Sequence, residues 1–200
     1  MKVGIISDVH GDLDTLLTTL DRLTYEHQAT HVLCAGDIVG RGPHENAVVE
    51  EIRRRNIISV RGNHDDYVTD INGENQLFLK DLPIDWQGQI NTRSIFMCHG
   101  KPGNNMWGMY RDHLSETYLS MVLSSLQADV LITGHTHVPL YMRVDEGVLI
   151  NPGSLYTFDS SRATSGTYGV LDLVSLRFEL YDARANQVQP VAMANYQKGA

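Results

Sequence analysis

Apolar and polar positions fall in blocks along the first sixty residues. KVGII at residues 2–6 is a short unbroken apolar run. Leu13, Leu16, Leu17, Leu20 and Leu23 follow at helical spacing, with Asp12 placed to cap them. HVLCA at 31–35 is a second apolar run. Ala47, Val48 and Ile52 then give one face of a helix entered at Pro43, and IISV at 57–60 ends the series. Strand, helix, strand, helix, strand predicts a parallel sheet with right-handed crossovers. Glu50 with Arg54, and Glu51 with Arg55, have the spacing of ion pairs on a solvated helix flank, each worth a few tenths of a kcal/mol.

The remainder is less regular. Residues 66–82 read as short helices, and 86–90 with 94–98 as a hairpin around Asn91 and Thr92. Residues 112–126 read as a helix with Leu114, Tyr118, Met121 and Val122 on one face. DVLIT at 129–133 is another strand. Segments 140–144, 147–151, 168–173 and 175–181 read as antiparallel strands, turning at Asp145-Glu146 and near Val174. The pattern after Asp182 is weak. With no internal repeat and no low-complexity linker, the expectation is an α/β fold in one domain over residues 1–200, a length that buries a sizeable core.

Short polar bursts sit at or just past the strand ends: SDVHG at 7–11, GDIVGRG at 36–42, GNHDD at 62–66, CHG at 98–100 and GHTH at 134–137. In open α/β sheets the carboxyl edge of the strands is where ligands bind, so five clusters can converge there. They offer Asp8, His10, Asp37, Asn63, His99, His135 and His137 as donors. Two carboxylates, one amide and four imidazoles suit Mn, Fe, Zn, Co or Ni. The set lacks the thiolates of a structural zinc site and is too rich in nitrogen for calcium. Seven donors exceed what one ion with an open position takes; they suit two divalent ions sharing a carboxylate. Two such ions about 3.5–4 Å apart, with a bridging hydroxide, leave a positive site for a phosphate ester.

The formal charge of −8 argues against stable nucleic-acid binding, because there is no basic field, yet it permits a small phosphate-ester substrate at a metal site. The two cysteines, Cys34 and Cys98, form no disulfide framework and read as small buried apolar residues in a reducing setting. The amino-terminal run is too short for a signal-peptide core and is cut by Asp8. No stretch reaches the ~20 apolar residues of a membrane helix. A cytoplasmic protein with no membrane partner is expected, and a homo-oligomer is compatible with the sequence.

DVH, GDIVGRG, GNHD, CHG and GHTH, in this order over residues 8–137, resemble the five blocks of the calcineurin-like metallophosphoesterases. NPGS at 151–154 extends the likeness toward the small prokaryotic-type phosphodiesterases. The resemblance implies two packed mixed β-sheets flanked by helices in four layers. It implies one ion on Asp8, His10 and His137, a second on Asn63, His99 and His135, and Asp37 as the bridge. Manganese is the leading metal, and phosphate-ester hydrolysis through a metal-bound hydroxide is the implied reaction. His64 matches the family's catalytic histidine, a general acid or transition-state stabiliser that is not a ligand. Asp65 is placed to orient His64. The sequence departs from the phosphoprotein-phosphatase GDxxDRG block, since Gly40 stands in place of its second Asp; Arg41 stands where a phosphate-binding arginine is expected.

Diesters lead among the substrates, with phosphomonoesters, phosphoproteins and dinucleoside polyphosphates as alternatives. A catalytically weak scaffold of the same fold, like the resembling retromer subunit, is the alternative from another class, and a metal-storing or redox protein a third. The loop at 100–112 reads as a candidate substrate lid, in which Trp107 or Tyr110 stacks on a ring or the large side chains pack beneath the loop. Ser161 and Arg162 are weaker candidates for approach to the site. His27, His31, His44 and His113 read as surface or local hydrogen-bonding residues. Asn63 has the competing reading of a left-handed turn residue.

Overall fold

Successive side chains of single strands enter different layers. In β1 (Lys2–Ile6), Val3 and Ile5 face the seam between two sheets, while Ile6 faces helices. In β2 (His31–Cys34), Leu33 enters the seam and Cys34 the helical layer. In β5 (Arg93–Cys98), Ile95 and Met97 enter the seam, whereas Phe96 and Cys98 face the opposite helix. In β6 (Val130–Ile132) and β8 (Gly147–Asn151), Leu131 and Leu149 turn to that helix and their neighbours to the seam. Burial on both faces makes these strands continuous apolar runs rather than alternating ones. Each such Ile, Leu or Val side chain contributes about 1.5–3 kcal/mol.

The computed structural model describes residues 1–158, 166–186 and 188–193. With β3 (Ile58–Ser59), β4 (Asp85–Ile90), β7 (Leu140–Val144), β9 (Thr167–Asp172) and β10 (Arg177–Asp182), the two sheets run β10-β9-β1-β2-β3 and β4-β5-β6-β8-β7. β1, β2 and β3 are parallel, as are β5, β6 and β8. This is the expected α/β arrangement of two mixed sheets flanked by helices. Helix α1 (Leu13–Asp21) packs Leu16 and Leu20 on the first sheet, and the Asp12 carboxylate caps it by accepting from Thr15 N at 3.2 Å. Helix α2 (Glu45–Arg54) packs Val48, Val49 and Ile52 on the same side. Helices α3 (Gly73–Asp81) and α4 (Glu116–Leu126) complete the shell.

Several local expectations are corrected. The last four strands form the expected antiparallel hairpins, β7 with β8 and β9 with β10, but the hairpins lie in different sheets and β8 also pairs in parallel with β6. Helix α4 starts only after Ser115, whose hydroxyl accepts from Tyr118 N at 3.1 Å, and residues 111–113 form a separate 3-10 turn. Its phase turns Leu119 and Leu123 inward and leaves Tyr118 and Met121 exposed. The expected Glu51–Arg55 pair forms at 2.5 Å, whereas Arg54 pairs with Glu51 at 2.6 Å rather than with Glu50, which accepts from Asn75 Nδ2 of α3 at 3.4 Å. Ser161 and Arg162 lie outside the described residues.

His27 is buried rather than on the surface. It lies 3.1 Å from the Tyr168 hydroxyl and 4.3 Å, centroid to centroid, from the Tyr181 ring. Burial holds its pKa below the ordinary 6.5, with Lys2 adding to the effect against Glu26 and Glu179. The unfolded chain therefore takes up this proton first. Stability from His27 is full above about pH 6.5 and declines as pH falls toward its folded value. Denaturant midpoints measured between about pH 7 and pH 5 should fall less steeply in His27→Gln than in the parent, and identical slopes would refute the assignment.

Candidate metal centre

The two parallel triplets point their carboxyl ends to one edge. The loop after β1 is laced to the loop after β2 by Asp8 N to Gly36 O (2.9 Å), His10 N to Asp37 O (3.0 Å) and Gly11 N to Ile38 O (2.9 Å). Within the second sheet, the loop after β6 is tied to the loop after β5 by Gly134 N, which donates to His99 O at 2.7 Å. Two glycines permit the approach. A Cβ on Gly134 would collide with the Ser7 hydroxyl, and one on Gly62 with the Asp37 carboxylate and backbone nitrogen.

Asp8, His10, Asp37, His135 and His137 all have φ between 49° and 67°. None is glycine, and each such left-handed residue costs about 1–2 kcal/mol. Concentrated strain of this kind marks a site whose geometry the rest of the fold enforces. Asn63 is in the right-handed region at φ −71°, so the left-handed turn reading does not hold.

All seven predicted donors meet. Asp8 Oδ1 lies 3.1 Å from His137 Nε2 and 3.9 Å from His10 Nε2, and the two histidine nitrogens are 3.3 Å apart. Asn63 Oδ1 lies 3.1 Å from His99 Nε2 and 2.9 Å from His135 Nδ1. Asp37 Oδ2 is 3.3 Å from His99 Nε2 and 3.7 Å from His10 Nε2, which places it between the two groups. Asp8, His10 and His137 hold their donor atoms within 4.8 Å of one another, as do Asp8, Asp37 and His99. All of these but Asn63 and His135 are buried.

Residues behind the donors aim them. The Nδ1–H groups of His10 and His99 donate to the carbonyls of Val39 (3.1 Å) and Ala35 (2.8 Å), leaving Nε2 of each ring to face the centre. Asp8 Oδ2 accepts from the Ser7 hydroxyl (2.6 Å) and His135 N (3.1 Å). Asn151 donates to Gly134 O at 2.7 Å and Ser154 to Asp8 O at 3.0 Å, so the NPGS segment braces both sheets' ligand loops. Ser7 escaped the sequence reading, although its adjacency to Asp8 was the available signal.

The donor set fits cations. Asp8 Oδ1 is fully buried and accepts no hydrogen bond, an arrangement whose desolvation a positive ion offsets. Burial opposes charge on Asp8, yet the imidazoles of His137, His99 and His10 hold its carboxyl well below the usual range. Burial likewise opposes charge on Asp37, and His99 overrides it. Burial draws His10 down to about 4, whereas Asp37 and Asp8 outweigh burial at His99 and push it up to about 9. A cation at His99 would displace that proton.

Of the predicted non-ligand residues, His64 stands at the centre. Its backbone N–H donates to Asp37 Oδ1 at 2.8 Å, and its ring meets the His10 ring edge-on at 4.9 Å. Arg41 Nη2 lies 3.4 Å from His64 Nε2, and the guanidinium is exposed. Asp65 is placed differently from its expected role beside the His64 ring. Its buried carboxylate accepts from Val39 N (3.1 Å) and Gly62 N (2.8 Å), clamping the loop that carries Asp37 to the one that carries Asn63. Burial, then the neighbouring Asp37, raises its pKa to about 7. Among the other histidines, His31, His44 and His113 are exposed.

A model of the calcineurin-like phosphoesterase superfamily domain matches residues 1–175. The chain is 30% identical over 162 residues to phosphodiesterase MJ0936 of Methanocaldococcus jannaschii, covering 76% of this chain and 83% of that protein. It is 29% identical over 185 residues to phosphodiesterase YfcE of Escherichia coli, covering 86% and 88%. Among solved structures, hypothetical protein PH1004 from Pyrococcus horikoshii shares the fold with a TM-score of 0.75 at 18% identity, over 90% of this chain and 87% of that one. A match across most of the length, laid over strand ends that gather every donor the motifs supply, places this chain in the calcineurin-like phosphoesterase superfamily, as a metal-dependent phosphoric-ester hydrolase.

Proposed function

We propose that this chain hydrolyses phosphodiesters at a binuclear centre. Asp8, His10 and His137 would hold one divalent ion, Asn63, His99 and His135 would hold the other, and Asp37 would be shared between them. The observation that carries this reading is the position of Asp37 Oδ2, 3.7 Å from one imidazole group and 3.3 Å from the other. The diester preference is supported by the likeness to two proteins named phosphodiesterases. Manganese is the leading metal that the family resemblance implies, and iron, zinc, cobalt and nickel also suit a mixed nitrogen and oxygen set. When bound, such ions supply Lewis-acid activation of water and neutralise charge on the phosphoryl oxygens.

The chain's own groups divide the remaining work. The Asp37 carboxylate, held by the His64 backbone N–H, fixes the spacing between the two donor groups. His64 is the proton donor to the departing alcohol oxygen, with its ring set by the edge contact to His10. Arg41, beside the His64 Nε2, meets a non-bridging phosphate oxygen. Asp65 acts at a distance, by clamping the loops that carry Asp37 and Asn63. The loop at 100–112 covers the rim, where Asn105 donates to Asp66 Oδ2 at 3.1 Å, next to the His64 turn. A complete donor set with His64 in place weighs against the scaffold reading. Among the described residues no helix is long and apolar enough to cross a membrane.

Metal analysis of the purified chain loaded with manganese should give two ions per chain, and Asp37→Asn should lose occupancy of both; a parent that holds one ion refutes the bridge. His64→Ala should lower kcat by about 10²–10⁴-fold at unchanged metal content, and an unaltered rate would remove His64 from the mechanism. With manganese, bis-p-nitrophenyl phosphate should be turned over faster than p-nitrophenyl phosphate. The reverse order would assign a monoesterase, and no turnover of either ester with any of the suited metals would overturn the reading.

A further inference from the structure

Beside the donor cluster, a cavity of about 310 Å³ opens between the loop at 109–112 and the segment at 136–140. That volume is at the lower end for a small-molecule subsite. Buried Met109 and Leu140 supply apolar surface, and Tyr110 adds an aromatic ring that is 44% exposed. Arg111 and Asp112, also in the lining, carry opposite charges, so together they bring no net charge to attract a second phosphate. The lining is mainly apolar and aromatic, with the polar side chains of Arg111, Asp112 and Thr136 suited to orienting a ring.

The cavity adjoins the reacting centre through Thr136, which lines it and stands between His135 and His137. Gly108 seats the loop against this spot. A Cβ there would be 2.6 Å from Thr136 Cγ2, 3.0 Å from His135 Cδ2 and 3.3 Å from Tyr110 Cε2. Only a residue without a side chain fits at 108 between Thr136, His135 and Tyr110, so the loop that carries Tyr110 lies against the segment that carries His135. The His113 ring meets Tyr110 edge-on at 6.1 Å, bracing it from another side. Tyr110 is therefore an exposed ring held in place, the arrangement that stacks on a flat partner at small entropic cost. Trp107, 65% exposed, does not line the cavity.

We propose that this cavity is the subsite for a flat aromatic group, aryl or nucleobase, esterified to the phosphorus, with Tyr110 as its stacking partner. The inference rests on the phosphodiesterase reading and names the substrate class of that same site.

Calorimetric binding to the manganese-loaded full chain tests it with phenyl phosphate against methyl phosphate, and thymidine 5′-monophosphate against ribose 5-phosphate. The aromatic member of at least one pair should bind about tenfold more tightly. The pair with the larger gap tells an aryl occupant from a nucleobase. Tyr110→Ala should erase most of the gap and leave methyl phosphate and ribose 5-phosphate unchanged, with melting curves confirming the fold. Val138→Trp, which fills the cavity, should do the same. Equal affinities within both pairs, or a gap that survives Tyr110→Ala, would overturn the subsite. Turnover of bis-p-nitrophenyl phosphate separates the two claims. Turnover without an aromatic preference defeats the subsite alone, and an aromatic preference without turnover of any ester defeats the hydrolytic reading alone.

Discussion

Two buried carboxylates, Asp8 and Asp37, stand within about 4 Å of imidazole nitrogens and far from bulk water, and the rest of the site is organised around the charge they carry. Carboxylates so placed are costly unless positive partners offset the desolvation. Protonated imidazole is one such partner, and His99 Nε2 stands 3.3 Å from Asp37 Oδ2. Divalent cations are stronger ones, and Asp8 Oδ1, which accepts no hydrogen bond although it faces His137 Nε2 at 3.1 Å, is an acceptor suited to them.

The fold meets this demand by parallel pairing. Three strands in each sheet run the same way, so their carboxyl ends deliver donors to one edge from both sides of the seam. The loops that follow are strained, with five of the seven donor residues left-handed. A strained loop survives only when neighbours over-determine it. Here the neighbours are the Asp65 clamp, the Ser7 and Ser154 hydroxyls and the Asn151 amide, each bonded to backbone or carboxylate at the site. The hydrophobic seam beneath them, from Val3 and Ile5 to Met97 and Ile150, keeps the two edges in register.

The same geometry separates roles among residues of like chemistry. His64 and Asp65 are adjacent in sequence, yet the histidine faces the donors while the carboxylate turns away to bind Val39 N and Gly62 N. His27 shares the imidazole of the ligands, but its partners are two tyrosines in the helical layer, a structural setting.

How much of this was legible in the chain itself follows from the range of each interaction. Strands buried on both faces leave continuous apolar runs, so KVGII, HVLCA and DVLIT announced themselves, and the donors just beyond them were readable as one set. Local capping was readable too where it involves neighbours in sequence, as with Asp12. Tertiary structure alone decided which sheet receives each C-terminal hairpin, because β7 with β8 and β9 with β10 look alike in their own residues and differ only in distant partners. It also decided which face of α4 is buried, the turning of Asp65 away from His64, the burial of His27 and the seating of Gly108 between Thr136, His135 and Tyr110. Sequence specified the chemistry because residue identity and short-range pattern are local; it left these placements open because each depends on contacts with groups tens of residues away.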